Sequence, residues 1–327
     1  VGSEMCIRDS KANQEDYPKL REIWRMPEAE QQEWYDSMNE EMDSLREKEC
    51  FTLVPIEEAI AAGKKLVPMT WAFRVKRSPS GIPTRKKSRC CLRGDLQEDI
   101  TDRNDVYTPL VDWATVRMMF GLAIHQGFKT RQVDFRLAFV QSPLPEPLYA
   151  TLPEGGWKKQ HPGMCMKFTK SIYGDRRSPQ LWYKYLKAGL EARGWVASKK
   201  DPCLYLRKDA IFAVYCDDGI FFGKTDKAIT DAVESLKLPL LDESGKMMPN
   251  GHAFDLDYEN DLAGYLGVGM RQTDDGALRL SQLQVAERSM AALGLDGASP
   301  VVAPAVGPLG RCPGRIPREE AGGLRGV

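Results

Sequence analysis

Histidine and paired cysteine are scarce in this sequence. It has three histidines among 327 residues, and none of its eight cysteines forms a Cys-x-x-Cys pair. Structural zinc sites need such ligands at short spacing, so no zinc site is predicted. Scattered cysteines are typical of reduced thiols. We therefore expect an intracellular protein, with the choice between cytoplasm and nucleus left open.

Long apolar runs and a net charge are also missing. No stretch is apolar for long enough to span a membrane, and no secretory signal opens the chain, so no membrane partner is expected. Basic and acidic residues both number 46, and net charge therefore indicates no partner. With 42% hydrophobic and 28% charged residues, the composition is that of a globular protein with one large or two compact units.

Residues 211–223, IFAVYCDDGIFFG, place two aspartates between two apolar runs. Both runs are rich in β-branched and aromatic residues and are bounded by glycine, which predicts a β-hairpin. Asp217 and Asp218 fall at its turn, where adjacent carboxylates repel each other and apolar neighbours raise the cost of ionising them. Mg²⁺ would remove this cost, since it favours carboxylate and phosphate ligands. A solvated Asp-Gly turn explains the same residues equally well.

A second hairpin is predicted in a strongly basic segment. Positions 64–93 hold ten lysine and arginine residues and no acidic residue. Trp71, Phe73 and Val75 alternate with the charges as in a half-buried strand, and SPSG at 78–81 is a turn sequence. A solvated basic hairpin is one interpretation. The absence of any counter-charge favours the other, a polyphosphate or nucleic-acid partner.

Apolar periodicity predicts further helices and strands. Residues 28–50 carry the stripe of an amphipathic helix, with Trp34, Met38, Met42 and Leu45 on one face. The other predicted elements are a buried helix at 115–128 that includes Leu122 and Ile124 in its core and ends at Gly127, a strand at 130–135 that carries Asp134, a helix at 178–193 with Ser178 as N-cap, a helix at 225–238, strands at 265–270 and 277–283, and a helix at 284–293. Residues 153–163 are predicted as a loop, and 239–262 show no regular pattern.

The two ends of the chain differ from its middle. Residues 1–10, VGSEMCIRDS, resemble a peptide that arises when sequencing-adapter DNA is translated. We therefore interpret 1–27 as an unstructured leader and expect the natural N-terminus to be missing. Residues 297–327 are rich in Gly, Pro and Arg without a hydrophobic period, which is typical of disorder or of a shifted reading frame. The folded region is predicted at 28–296.

Ten motifs, taken in order, resemble the reverse transcriptase of copia-type retrotransposon polyproteins. They are WYDSMNEEMDSL, WAFRVK, RKKSRCCLRG, YTPLVDWATVR, QVDFRLAFVQSPLPEPLYATLPEG, KSIYGDRRSPQLWY, DPCLYL, AVYCDDGIFFG, YLGVGM and LSQ. The resemblance runs from about Trp34 to Pro304. Each motif is weak alone, and their order and spacing together make the resemblance specific.

The resemblance implies an α+β right-hand polymerase, with a palm of antiparallel sheet backed by helices and with fingers from the N-terminal part. It pairs Asp134 with Asp217 and Asp218 as catalytic carboxylates that bind two Mg²⁺ ions, Mn²⁺ being possible. The implied reaction is nucleotidyl transfer from a deoxynucleoside triphosphate to a primer 3′-hydroxyl on an RNA or DNA template. Asp134 and Asp217 are the expected direct ligands, with Asp218 weaker or further out.

The resemblance also implies a nucleotide site. Lys87, Arg89 and Arg93 match the basic fingers motif expected to hold the triphosphate. Phe139 matches a ring beneath the sugar that excludes a 2′-hydroxyl, although simple core packing explains it too. Arg177 stands where the family has a glutamine that contacts the nucleotide. YLGVGM matches the segment that grips the primer end.

Departures from the family pattern keep a second function open. Asp175, Arg176 and Arg177 replace the usual Leu-Lys-Gln, and Cys90-Cys91 replace Leu-Val. The chain has no recognisable ribonuclease H, integrase or protease module. The alternative to a polymerase is therefore a non-catalytic, degenerate retrotransposon relic that at most binds nucleic acid.

Overall fold

The structure is a computed structural model that describes residues 16–77, 83–97, 106–259, 264–265, 268–273 and 277–295. The first ten residues, the tail from residue 297 and the expected turns at 78–81 and 274–276 lie outside the described residues. Residues 16–27, assigned above to a leader, contain a short helix whose Ile23 is 1% exposed, so the ordered fold begins before residue 28.

Helices and short antiparallel strands alternate along the chain. The helices are α1 (Leu20–Ile23), α2 (Glu28–Glu47), α3 (Ile56–Ala61), α4 (Trp113–Gln126), α5 (Ala138–Gln141), α6 (Trp157–Gln160), α7 (Ser178–Ala192), α8 (Asp226–Lys237) and α9 (Leu283–Ala292). The strands are β1 (Phe51–Pro55), β2 (Met69–Arg77), β3 (Pro83–Leu92), β4 (Lys129–Phe135), β5 (Pro143–Ala150), β6 (Met164–Lys170), β7 (Val196–Ala197), β8 (Leu204–Leu206), β9 (Ala210–Tyr215), β10 (Asp218–Gly223), β11 (Leu256–Glu259), β12 (Gly264–Tyr265), β13 (Val268–Gln272) and β14 (Leu278–Ser281). None of the helices within the described ranges is long and apolar enough to cross a bilayer.

The largest sheet has six strands in the order β11-β4-β10-β9-β8-β7, and every neighbouring pair is antiparallel. Its central strand β10 is buried from Gly219 to Gly223, which explains its continuous rather than alternating apolar sequence. Apolar side chains of α4, α7 and α8 share one core with this sheet. The ends of β4 and β10 meet at one edge of that core, where the acidic residues lie.

A second core joins the N-terminal elements. It contains the apolar stripe of α2, side chains of the hairpin β2–β3, and the three-stranded sheet β1-β6-β5. Hydrogen bonds fix α2 to the hairpin, since the Ser37 hydroxyl donates to the Lys86 carbonyl at 3.2 Å and accepts from the Ser88 amide at 2.9 Å. The basic hairpin is therefore anchored along one face to a helix.

Most sequence predictions of helices and strands are confirmed. The stripe of α2 is buried as predicted, both hairpins form, and α4 ends at Gly127, whose φ of 66° lies in the left-handed region. The prediction of a wholly buried α4 is wrong. Leu122 is 37% and Ile124 46% exposed, because only one side of α4 faces the sheet.

Three local predictions are also wrong. The N-cap of α7 is Arg177, because the Ser178 hydroxyl is buried and donates instead to the Ile172 carbonyl at 2.8 Å. The loop predicted at 153–163 contains α6, which buries Trp157. The segment at 239–262 contains β11, a strand at the edge of the largest sheet. Strand β11 was not predicted because its sequence is polar.

Candidate active site

Three aspartates lie side by side on neighbouring strands. Asp134 on β4 is directly opposite Asp218 on β10 and directly opposite Asp257 on β11. Residues paired in this way point to the same face of a sheet, with Cβ atoms about 5 Å apart. The sheet register therefore brings Asp134 and Asp218 together as expected, and adds Asp257.

Asp217 occupies the turn between β9 and β10. Its carbonyl accepts a hydrogen bond from the Phe135 amide at 2.9 Å, which ties the turn to the residue after Asp134. Cys216 precedes it with a φ of 57°, and the Trp182 indole donates to the Cys216 carbonyl at 2.8 Å. A buried side chain of α7 thus holds the turn in a conformation that L-residues rarely adopt.

The interpretation of Asp218-Gly219 as a solvated turn is wrong. Gly219 is a buried strand residue paired with Val214 on β9 and Val133 on β4. A Cβ at this position would lie 2.4 Å from Cε2 of Phe212. The glycine is required for close packing of the sheet next to the aspartates.

The acidic row perturbs its central member. Asp134 is an exposed residue whose carboxyl is only partly dehydrated by its neighbours; this partial loss of hydration, and next the negative charge of Asp217, raise its pKa above the usual value, and Asp257 adds to the rise. The side chains of Lys87 and Lys76 act in the opposite sense. Both lysines belong to the β2–β3 hairpin, so the positive charge of this hairpin acts on the Asp134 carboxyl.

Arg136 follows the acidic strand and partly balances its charge. Its Nε donates to Oδ2 of Asp257 at 2.5 Å, and both side chains are more than half exposed. The hydrogen bond to Asp257, and then the charges of Asp257, Asp255 and Asp134, raise the pKa of Arg136. Asp257 therefore belongs to an ion pair at the rim of the acidic row.

Tyr265 closes the row from another sheet. Its hydroxyl donates to the Asp218 carbonyl at 3.4 Å, and the side chain is 1% exposed. Burial, and then the negative charge of Asp218, raises the pKa of the phenol, so it stays a neutral donor. Tyr265, the first residue of the YLGVGM motif, is therefore in contact with Asp218.

An aromatic bridge connects the basic hairpin with α5. The Arg89 guanidinium lies 4.9 Å from the centroid of the Tyr173 ring, and the same ring packs edge-on against Phe139 with centroids 5.4 Å apart. The pKa of Tyr173 is raised by burial and further by Asp217, while Arg89 lowers it. Arg89 and Phe139 therefore meet at the Tyr173 ring.

The other two predicted nucleotide-binding residues are engaged with neighbouring carboxylates. Arg93 donates to both carboxylate oxygens of Asp95, at 2.8 and 2.6 Å. The Nε of Arg177 lies 3.6 Å from Oδ1 of Asp175, a side chain that is fully buried. Lys87 lowers the pKa of Asp134 through its charge, and Arg89 and Phe139 share the Tyr173 ring, whereas Arg93 and Arg177 lie against Asp95 and Asp175.

Sequence reasoning missed two residues of this site. Asp257 lies in FDLDYE, where apolar residues alternate with acids, and this alternation was the available signal for an edge strand. Tyr173 precedes Gly174, whose φ of 87° and contact with the backbone of Leu92 exclude any side chain there. A Tyr-Gly pair between a strand and a helix was thus the signal for a close approach of two backbones.

The donor set suits a hard cation. Carboxylate oxygens are the ligands that Mg²⁺ prefers, and Asp134, Asp217 and Asp218 supply them from adjacent positions. Within the described ranges no three histidine, cysteine, aspartate or glutamate side chains converge closely enough to cage a metal. Mg²⁺ usually takes one or two protein carboxylates and completes its shell with water and substrate phosphates, so these aspartates fit such an ion.

Comparison with known families agrees with this fold. The model of the family described as reverse transcriptase (RNA-dependent DNA polymerase) matches residues 49–307, which include every strand of the six-stranded sheet. The chain belongs to this family of nucleotidyltransferases.

Curated relatives define the protein more closely. The chain is 27% identical over 296 residues to the retrovirus-related Pol polyprotein from transposon TNT 1-94 of Nicotiana tabacum, a match that covers 89% of this chain and 21% of that protein. It is 25% identical over 275 residues to the retrovirus-related Pol polyprotein from transposon RE2 of Arabidopsis thaliana, covering 83% and 18%. The expected resemblance to the reverse transcriptase of copia-type retrotransposon polyproteins is thus confirmed, and the chain spans about a fifth of the length of these relatives.

Proposed function

We propose that this chain is an RNA-directed DNA polymerase, with the six-stranded sheet as its palm and the β2–β3 hairpin as part of its fingers. Residues 28–296 form the polymerase region, with α1 packed on it. The register that sets Asp134 opposite Asp218, next to the Asp217 turn, carries the proposal. Repelling carboxylates at the edge of an apolar core are costly unless a cation binds them.

In this proposal Asp134 and Asp217 would hold the metal ions directly, and Asp218 would contribute a weaker or outer contact. Two bound Mg²⁺ ions, or Mn²⁺, would stabilise the attacking 3′-oxygen and the leaving pyrophosphate. The protein contributes position: the Phe135–Asp217 hydrogen bond and the Trp182–Cys216 hydrogen bond fix the turn against β4. Fixed carboxylates need no reorganisation when the charge develops.

The incoming nucleotide lies between the hairpin and α5. Lys87 and Arg89 contact its phosphates, and Phe139 lies beside C2′ of the sugar. Arg93 and Arg177 reach the nucleotide only by leaving Asp95 and Asp175. Arg93–Asp95 is an exposed pair, and such pairs are weak because solvent screens them, so a triphosphate can displace this one.

The partners that follow are a primed RNA or DNA template and deoxynucleoside triphosphates, in an intracellular compartment. The basic face of the hairpin and the cations near α7 track the template–primer backbone. Ribonuclease H and integrase activities belong to other modules of the polyprotein.

Primer extension on an RNA template with Mg²⁺ tests the proposal. We expect extension by the wild-type chain, and loss of at least about a hundredfold in Asp217→Asn, since a metal ligand is removed while the fold persists. Asp231→Asn is the matched control, because Asp231 is exposed on α8 and pairs with Lys227 at 2.6 Å. Undiminished extension by Asp217→Asn would refute the assigned role.

A second function, nucleic-acid binding without catalysis, is favoured by the carboxylate partners of Arg93 and Arg177. A relic of this kind would extend no primer but would still bind duplexes through its basic hairpin. Its log affinity for B-DNA would fall with log salt by about 0.9 per phosphate contacted. Salt-dependent binding by a chain that extends no primer identifies this second function.

A further inference from the structure

Helix α5, which carries Phe139, is too short to hold its own shape. It has four residues, and an isolated helix of one turn is unstable in water. The chain enters it through Leu137, which has a φ of 47°. Contacts from outside the helix must therefore fix the direction of the Phe139 ring.

The Gln141 side chain supplies such contacts. Its Nε2 donates to the carbonyl of Arg136 at 2.7 Å and to the carbonyl of Asp255 at 2.8 Å, and its Oε1 accepts from the Asp255 amide at 2.9 Å. The amide group thus binds both backbone groups of one residue, as a neighbouring strand would. The Gln141 side chain thereby extends the hydrogen-bond ladder between β4 and β11 past its last residue pair, Phe135 and Leu256, where the main chain of β4 turns away.

The same contacts orient Phe139. Residues two apart on a helix point about 200° apart around its axis. With Gln141 fixed against Asp255, Phe139 is turned to the opposite side, where its ring meets Tyr173. The Arg136 amide also donates to the Asp255 carbonyl at 3.0 Å, so one residue before β11 fixes both ends of the turn that contains α5.

We infer that Gln141 is a positioning residue for sugar selection: it holds α5 against the start of β11 so that the Phe139 ring stays beside the nucleotide sugar. This inference rests on the proposed polymerase function. Loss of the Gln141 contacts lets the ring move, and a mobile ring excludes a 2′-hydroxyl less well.

The first test compares nucleotide efficiencies in primer extension. Gln141→Leu should raise the ratio of ribonucleotide to deoxynucleotide kcat/KM by about fivefold. A change of this size corresponds to the net contribution of one typical hydrogen bond. Gln141→Glu keeps the acceptor for the Asp255 amide and loses both donations, so it should raise the ratio as well. Gln31→Leu is the matched control, since Gln31 on α2 also donates to a backbone carbonyl, that of Met26, at 2.8 Å.

The second test needs no catalysis. Hydrogen exchange measures the amides of Val140 and Ser142, which donate to Leu137 and Phe139 within this turn. Gln141→Leu should lose protection at these two amides and keep it in the β2–β3 hairpin, whereas Gln31→Leu should retain it at both places. Protection retained at both amides in Gln141→Leu overturns the inference, including for a chain that extends no primer.

The outcomes separate this inference from the proposed function. A raised ratio in Phe139→Val with an unchanged ratio in Gln141→Leu overturns the role of Gln141 and leaves the Phe139 gate intact. An unchanged ratio in a folded, active Phe139→Val variant refutes the role of Phe139 in excluding a 2′-hydroxyl, and with it the role of Gln141 in sugar selection. A raised ratio in both variants, with local loss of protection, supports both.

Discussion

Asp257 lies directly opposite Asp134 across β4 and β11, as Asp218 does on the other side. The middle carboxyl of the row therefore has a negative neighbour on each flanking strand. Asp257 is paired with Arg136, whose Nε donates to its Oδ2 at 2.5 Å. The acid row thus has one side that is charge-balanced and one that faces the Asp217 turn.

Asp257→Asn should shift the pH profile of the enzyme. Asp257 helps to raise the pKa of Asp134, so its neutralisation lowers that pKa, and an Arg136 without its partner acts in the same direction. The acid limb of kcat/KM for primer extension should therefore move to lower pH. Asp231→Asn should leave the profile in place, and an acid limb that moves to higher pH in Asp257→Asn would contradict the assignment.

Gly219→Ala should destabilise the sheet beside the aspartates. The added methyl would lie 2.4 Å from the Phe212 ring and 3.1 Å from Val133, and overpacking of this kind typically costs about 1–3 kcal/mol. Gly121→Ala is the control, because Gly121 is on the exposed side of α4 and, apart from its chain neighbours and the backbone of its own helix, nothing lies within 4 Å of the new methyl. It should stabilise by about 0.5–1 kcal/mol. Denaturant unfolding measures both, and equal stability of the two variants would argue against the packing role of Gly219.

Arg193→Met should lower the free energy of unfolding strongly. The Arg193 guanidinium is nearly buried and donates to the carbonyls of Gly189, Ser235, Leu238 and His252 at 2.7–2.9 Å. It thereby ties the end of α7 to the end of α8 and to the segment before β11. Buried carbonyls left without donors make a loss of about 3–5 kcal/mol expected.

Arg193→Lys tests the geometry rather than the charge. A lysine keeps the positive charge but cannot spread its donors over the carbonyls that the planar guanidinium reaches. Its stability should lie between those of the wild type and Arg193→Met. A melt of Arg193→Met within about 2 °C of the wild type would show that these hydrogen bonds add little.

The sequence predicted those elements whose apolar residues follow a single period. The stripe of α2 and the alternation of Trp71, Phe73 and Val75 are local signals, and the structure has α2 and β2 there. Leu122 and Ile124 were misplaced because residue type does not tell which side of α4 meets the sheet. β11 was missed because half of its residues are acidic.

The candidate site required information that no local pattern contains. Asp134 and Asp218 are paired through sheet register across more than eighty residues, and only the family resemblance joined them in advance. The motifs that carry the family resemblance do not include Asp257. Its place depends on where β11 pairs with β4, which the Gln141 and Arg136 contacts with Asp255 help to fix.

Phe139 provides the sharpest test of the nucleotide site, because its two explanations predict different results. The ring is only partly buried and contacts Tyr173 with centroids 5.4 Å apart. If it lies beside C2′, Phe139→Val should raise ribonucleotide incorporation more than it lowers deoxynucleotide incorporation. An apolar pocket alone rejects an added hydroxyl by roughly a hundredfold, so the change in the ratio should not greatly exceed that factor.

If Phe139 is only a packing residue, Phe139→Ala should instead cost about 3–5 kcal/mol of stability and leave the ratio unchanged. Thermal melts and the ratio of ribonucleotide to deoxynucleotide kcat/KM, measured on the same preparations of both variants, separate the two. A folded, active variant with an unchanged ratio removes the gate from Phe139 and assigns the ring to the contact with Tyr173.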